Sequence, residues 1–507
     1  MGEDSLIGKK FRSPYGPAKI IKIDHQGAII QLESGPLYGN QFPVTFEDLK
    51  SWDVDVSKIK TKIEKVVKEE KEEKVEKVKK TIPPKKEPVK KPPNKKKEVK
   101  SIKKIISEKE INQHKVCIDA LRFGLVPLSY LSDLTIGYGD LKNWAISSFP
   151  YKNLNPKPFV HQIIGQFGDG KSHTMAVIRK IALEENYIVG KVEVDGLNIS
   201  LSNPKSFLHT LFNSVKANDH SIVLPLYNLY LKSINNGNQA PEIVAEWPDR
   251  TRIAYNLIKQ LKKYRCLDQC DYLVDSVITC SDEMTASDAA RAIKSEVRYS
   301  INPRYIKLYP LIGNKLVDRT KNFIEALIGV SLISKMAGYK GFIVTIDEYE
   351  VESSLLKGLK MYYREEDLLE ESIEYFSGNS EYPNAPLAIY FASVPIPEDE
   401  YIDPLDRIAK GFGLTELVNT MVKKSDGKTF EIETFKGWNQ NDNSQMNLIE
   451  KIHSIYQQAY SCESANIESI LTLLNNQLDK VSLTESGGIR SLMKQYISIL
   501  DKYYGPP

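Results

Sequence analysis

One eight-residue stretch constrains this chain more than any other: Gly165-Gln166-Phe167-Gly168-Asp169-Gly170-Lys171-Ser172. It satisfies the pattern G-x-x-x-x-G-K-[ST] at every fixed position. An apolar run, Phe159–Ile164, precedes it, and a helix-compatible run over Lys171–Glu185 follows. Strand, glycine-rich loop and helix in that order form a phosphate cradle. Glycines let the backbone curl until several N–H groups converge on one anion, and the helix adds its positive end. Lys171 then supplies a point charge between the β- and γ-phosphates, and the Ser172 hydroxyl a ligand for Mg²⁺. The expected cofactors are therefore ATP and Mg²⁺, with Gly165, Gln166, Phe167, Gly168, Asp169, Gly170, Lys171, Ser172 and His173 forming the nucleotide-binding segment.

Such a loop requires an acidic partner on a neighbouring strand. Phe342-Ile343-Val344-Thr345-Ile346 is a buried-strand run that ends in Asp347-Glu348. Asp347 is expected to hold Mg²⁺ with Ser172, and Glu348 to orient and deprotonate the attacking water. A solvated acidic turn would give the same letters, and only the P-loop favours the catalytic reading. The run Leu387–Ala392 ends in Ser393, a candidate sensor of the γ-phosphate or a simple turn residue. Gly487-Gly488-Ile489-Arg490 opens a helix with the apolar period Leu492, Met493, Tyr496, Ile497, Leu500. Its Arg490 is a candidate lid arginine reaching the nucleotide. Arg407, beside Asp403 and Asp406, could act on a neighbouring subunit's ATP or form a local ion pair.

The chain has 507 residues, enough for two or three domains. Residues 1–55 read as a small β domain: Ile7–Phe11, Ala18–Ile23 and Ala28–Leu32 are short β-branched runs separated by Pro/Gly-rich turns. Residues 56–105 read as a disordered linker. Between Lys58 and Lys104 lie 20 lysines and 8 glutamates, a composition that cannot bury enough surface to fold. The net charge of +3 thus hides a basic linker joined to mildly acidic folded parts. Residues 106–413 read as an α/β parallel-sheet domain with a helical insertion over about 200–335, and 414–507 as a helical lid. The insertion carries Lys259, Lys262, Lys263, Tyr264, Arg265, Arg291, Lys294, Arg298, Tyr299, Arg304, Tyr305 and Lys307. Cations interleaved with tyrosines suit contact with DNA, and equally suit a solvated helix face.

No apolar run is long enough to span a bilayer, and the N-terminus shows neither a signal peptide nor a myristoylation pattern. The expectation is a cytoplasmic protein without a membrane partner. The five cysteines, Cys117, Cys266, Cys270, Cys280 and Cys462, do not form a disulfide frame. Cys266, Cys270 and Cys280 lack a convincing fourth zinc ligand.

Several stretches resemble the BrxD-like ATP-binding proteins of BREX phage defence. They are Asp119-Ala120-Leu121-Arg122-Phe123-Gly124-Leu125-Val126-Pro127, Gly165–His173, Val192-Glu193-Val194-Asp195 and the Asp347-Glu348 strand. Gln166 departs from relatives, which often carry Glu there. The Ser393 and Arg490 positions resemble the two sensors of AAA+ proteins, and residues 1–55 resemble the SH3/Tudor-like barrel of CarD-type factors. The resemblance implies an AAA+-like P-loop NTPase fold and an ATPase that works on DNA with a helicase or other defence-system partner, and it is compatible with a homo-oligomer. A slow nucleotide-dependent switch that assembles defence partners is the competing expectation. A kinase-like phosphotransferase is a third, disfavoured because no acceptor-binding motif accompanies the loop.

Overall fold

The computed structural model describes residues 10–13, 16–23, 27–32, 41–45, 108–150, 157–195, 198–219, 223–236, 244–281, 285–297, 301, 306–312, 319–349, 359–377, 382, 384–397, 411–462, 467–478 and 488–505. The chain divides into two compact units, Met1–Lys103 and Lys104–Pro507. The linker expected over 56–105 lies outside the described residues.

In the first unit, β1 (Lys10–Ser13), β2 (Gly16–Ile23), β3 (Gly27–Leu32) and β4 (Gln41–Thr45) pair antiparallel in the order β1-β2-β3-β4. The register slips between Ile20 and Lys22, a bulge in β2. The fourth strand was not expected from the sequence, because Pro43 interrupts its β-branched pattern. At the edge of a sheet a proline costs no ladder bond on its open side, and β4 occupies that edge.

The second unit is built on a five-stranded sheet of β5 (Phe159–Ile164), β6 (Ile188–Glu193), β7 (Phe342–Asp347), β8 (Leu387–Ser393) and β9 (Thr429–Glu431). Its order is β6-β7-β8-β5-β9, and every pairing is parallel. Parallel strands covered on both faces read as continuous apolar runs, and β7 and β8 are buried along their whole length. Two sequence expectations change here. The acidic strand β7 does not adjoin the P-loop strand β5; β8 lies between them. Residues 429–431, read as part of a helical segment, extend the sheet beside β5. Thr429-Phe430-Glu431 is too short to stand out as a strand in the sequence and is recruited by pairing with Gln162–Ile164.

Helices cover both faces. On one lie α1's successor α2 (Tyr138–Ser148) and the P-loop helix α3 (Lys171–Glu184); α1 itself is Glu108–Phe123. Ile163, Ile343, Ala388, Tyr390 and Ala392 point to this face with Met175, Ile178 and Ala145. Between β6 and β7 run six helices among the described residues: α4 (Pro204–Asn213), α5 (Leu226–Asn236), α6 (Asp249–Lys263), α7 (Leu267–Ile278), α8 (Ala286–Val297) and α9 (Arg319–Met336). With α10 (Leu359–Phe376) and α11 (Phe412–Lys424) they cover the other face, where Val160, Val344, Ile346, Ile389 and Phe391 join their core. Cys266, Cys270 and Cys280 are buried free thiols in this core.

The remaining helices are α12 (Asn443–Tyr460), α13 (Ile467–Leu478) and α14 (Gly488–Tyr504). They form a separate core with α1, in which Cys117, Ile118 and Leu121 pack with Ile452, Tyr456, Tyr496 and Leu500. The helix that begins the unit therefore belongs to the C-terminal bundle. No helix among the described residues is long and apolar enough to cross a membrane.

Candidate functional site

The P-loop follows β5 at the carboxyl edge of the sheet. Gly168 and Gly170 adopt φ of 87° and 106°, left-handed values that a side chain resists. These two turns aim the loop's amides inward before α3 begins at Lys171. Lys171 is buried, and its Nζ donates to Gly165 O at 2.9 Å and Gln166 O at 3.5 Å. It also stands 4.8 Å above the ring of the exposed Phe167. Asp169 Oδ2 accepts from the Gln166 amide at 3.2 Å. The loop thus ties its lysine and one of its amides to itself, and an incoming phosphate must exchange those bonds for its own. His173, half-buried, shares a 2.8 Å hydrogen bond between its Nε2 and Thr135 Oγ1. Desolvation pulls its pKa down to about 4, so it is neutral at physiological pH.

The acidic strand ends at the same edge. Strand neighbours Glu193 and Asp347 are register partners, and Ile164 is level with Ser393. Asp347 is buried, with Oδ1 accepting from the Glu348 amide at 3.1 Å. Glu348 itself has φ 59°, a left-handed conformation that is uncommon for a residue with a side chain and is the kind of strain that collects at functional sites. Burial, then Asp347 and Glu193, push its pKa up, while Arg490 and Lys171 oppose them. That balance places the P-loop lysine, the acidic strand end and the arginine of α14 within electrostatic reach of one carboxylate.

Arg490 reaches this edge because α14 begins against the P-loop. Its backbone N–H donates to Gly168 O at 3.4 Å, and the Phe435 amide donates to Asp169 Oδ1 at 3.4 Å. A Cβ at Gly124 would lie 3.3 Å from Arg490 Cδ, so the turn after α1 packs on the stem of the same arginine. The neighbouring Arg122 donates from Nε and Nη2 to the two Asp501 oxygens, both at 2.9 Å, and also bonds Asp119 and Tyr460. Arg122 thereby fastens α1 to α14.

The structure brings Lys171, Ser172, Asp347, Glu348 and Arg490 to one edge; Ser393 ends β8 at that same edge, its carbonyl accepting from the Gly165 amide at 3.1 Å, but its side chain turns away from α3. Side chains alternate along a strand, and Ser393 falls with Ile389 and Phe391 on the face away from α3. It is fully buried; Gln162 Nε2 donates to its hydroxyl at 2.9 Å, and Tyr349 Oη shares a 2.7 Å bond with it. Arg407 and the flanking Asp403 and Asp406 lie outside the described residues. Two charged residues were not given a role at the site from the sequence: Glu193 at this edge, and Arg179 on α3 beneath it. The seven-residue spacing between Ser172 and Arg179 was the available signal.

The donor chemistry fits a magnesium nucleotide. Ser172 and Asp347 offer hard oxygen donors, the kind that Mg²⁺ takes together with substrate phosphates and water.

Residues 108–223 match the family model described as BREX system ATP-binding protein BrxC/D. This match supports kinship with the BREX ATP-binding family and an ATP-binding role. The matched span runs from α1 through the P-loop to α4 and stops before Asp347. No curated protein matches the chain.

Proposed function

We propose that the chain is an AAA+-like ATPase of BREX-type antiphage defence, acting as a DNA-associated motor or loader with a helicase partner. The observation that carries the ATPase reading is the meeting of Lys171, Asp347, Glu348 and Arg490 at one sheet edge. Gly165–His173 would wrap the triphosphate, and Ser172 and Asp347 would hold Mg²⁺, which supplies charge neutralisation on the phosphate oxygens. Glu348 would take the proton of the attacking water, a task suited to a carboxylate whose pKa burial has raised. Arg490 would place its charge on the phosphates from α14. The interposed strand β8 and the C-terminal helical bundle support the AAA+-like assignment.

The DNA role rests on the BREX kinship and on an exposed basic surface. Lys259, Lys263, Tyr264, Arg265, Arg291, Lys294 and Lys307 are exposed on the insertion, while Arg298, Tyr299, Arg304 and Tyr305 lie outside the described residues. We also assign the N-terminal sheet to an SH3/Tudor-like domain that engages DNA or a partner protein, and the protein to the cytoplasm.

One observation favours the switch reading: Lys171 and the Gln166 amide are held within the loop while α14 rests on it, an arrangement suited to slow exchange. Steady-state ATP hydrolysis with and without DNA separates the two. Strong stimulation by DNA supports the motor or loader. Slow turnover that neither DNA nor a helicase partner changes supports the switch.

A further inference from the structure

Arg179 stands on the P-loop helix α3 seven residues beyond Ser172, a spacing that returns to nearly the same helix face. Its Nη1 donates to Thr345 Oγ1 at 2.9 Å. Thr345 precedes Asp347 by two residues on β7, so both side chains leave the same face of the sheet. That face is the one α3 covers, as Ile343 and Val189 of the same strands show by packing with Ile178. Thr345 Oγ1 also donates to Gly190 O on β6 at 3.4 Å. Arg179 thus ties α3 directly to the strand bearing the acidic pair.

Its charge is directed at the same place. Arginine stays protonated in proteins, so a half-buried guanidinium at a helix–sheet seam needs a counter-charge nearby. Burial lowers the Arg179 pKa, and the groups that oppose this are Asp347, then Glu193. Glu193 has a second cation in Lys191, 3.0 Å away and exposed. Asp347 is buried, where a nearby cation acts with less screening from water.

We propose that Arg179 is a positioning residue for the metal-binding carboxylate, locking the helix that carries Ser172 to the strand that carries Asp347 through its bond to Thr345. The proposal rests on the ATP·Mg²⁺ reading above. Ser172 follows β5 and Asp347 ends β7, with β8 between those two strands, so their common approach to one ion depends on how α3 sits across the sheet. Arg179 fixes that placement from beneath the site without touching nucleotide.

The test is a Mg²⁺ titration of the binding of a fluorescent ATP analogue, with EDTA controls, for wild type, Arg179→Gln and Arg179→Lys. Wild type binds in a Mg²⁺-dependent way; if it binds no nucleotide, the ATP reading fails and takes this proposal with it. Arg179→Gln raises the Mg²⁺ concentration for half-saturation roughly tenfold while affinity in EDTA stays within about twofold, as for other groups that orient metal ligands. Arg179→Lys, which keeps the charge, stays within about threefold of wild type. Wild-type Mg²⁺ dependence in Arg179→Gln overturns the proposal, as does an equal loss of affinity with and without Mg²⁺, the mark of a purely structural role. Should Arg179→Gln fail to fold, Arg179→Lys decides: a rise beyond about threefold contradicts a role carried by charge.

Discussion

Gly488, the first residue of α14, lies against Asp169 of the P-loop: a Cβ built on Gly488 would fall 2.8 Å from Asp169 Oδ1 and 3.1 Å from the Gly168 carbonyl. With φ at +57° the position also favours glycine on conformational grounds. The lid helix and the phosphate loop thus meet through the Arg490 N–H bond to Gly168 O, while Phe435, ahead of α12, donates its N–H to the Asp169 side chain.

Gly488→Ala should therefore loosen the lid without disturbing the sheet. The strain of a side chain at positive φ is about 1 kcal/mol or more, equivalent to roughly a fivefold rise in lid opening. Hydrogen exchange checks this: protection should fall together over 165–172 and 488–496 and stay unchanged in β7 and β8.

The Arg122–Asp501 pair should hold α1 in the C-terminal bundle. Both side chains are 24% exposed, so the pair is partly desolvated, and Tyr456 Oη donates to the same Asp501 at 2.9 Å. Arg122→Ala leaves Asp501 short of its cation and should cost roughly 1–3 kcal/mol of stability, read by denaturant unfolding. Preferential proteolytic cleavage around α1 should accompany it. An unchanged unfolding midpoint would remove Arg122 from this role.

Glu348→Gln keeps the size and polarity of the side chain and removes its ability to take a proton. ATP binding should persist while hydrolysis falls roughly 10²–10⁴-fold, the usual worth of a general base. Single-turnover measurement of phosphate release checks it, and an unchanged rate would assign the base elsewhere.

His161 should make the fold acid-sensitive. It lies buried among the rings of Trp144, Phe159 and Tyr390, and its Nδ1 accepts from the Lys428 amide at 2.9 Å. Desolvation lowers its pKa from 6.5 to about 3. Below pH 6.5 the unfolded chain takes up a proton that the folded chain refuses, so stability falls as pH drops from about 6.5 toward 3. The slope from this one group is roughly 1.4 kcal/mol per pH unit. His161→Phe should flatten the unfolding profile across that window relative to wild type.

Much of the site can be read from the chain because its parts are local. The P-loop needs only Phe159–Ile164 before it and a helix after it, and Asp347-Glu348 needs only the apolar run ahead of them. What stayed hidden depends on topology. That β8 lies between β5 and β7 is a matter of strand order, which no spacing in the sequence encodes. Ser393 reads as a strand-tip polar residue, yet strand parity turns it toward Tyr349 and Gln162. Thr429–Glu431 becomes a strand only through β5, and α1 joins the C-terminal bundle through Asp501, far along the chain from Arg122. Arg490 was legible as a helix-start arginine, but its approach to the P-loop depends on the absence of a side chain at Gly488.

The account stands most directly on calorimetric titration of ATP·Mg²⁺ into wild type and Lys171→Ala. One site per chain is expected for wild type, with affinity reduced at least about 100-fold in the variant, since loss of a charged partner to phosphate costs roughly 3 kcal/mol. Equal affinity in the two proteins would contradict the placement of the nucleotide at Gly165–Ser172.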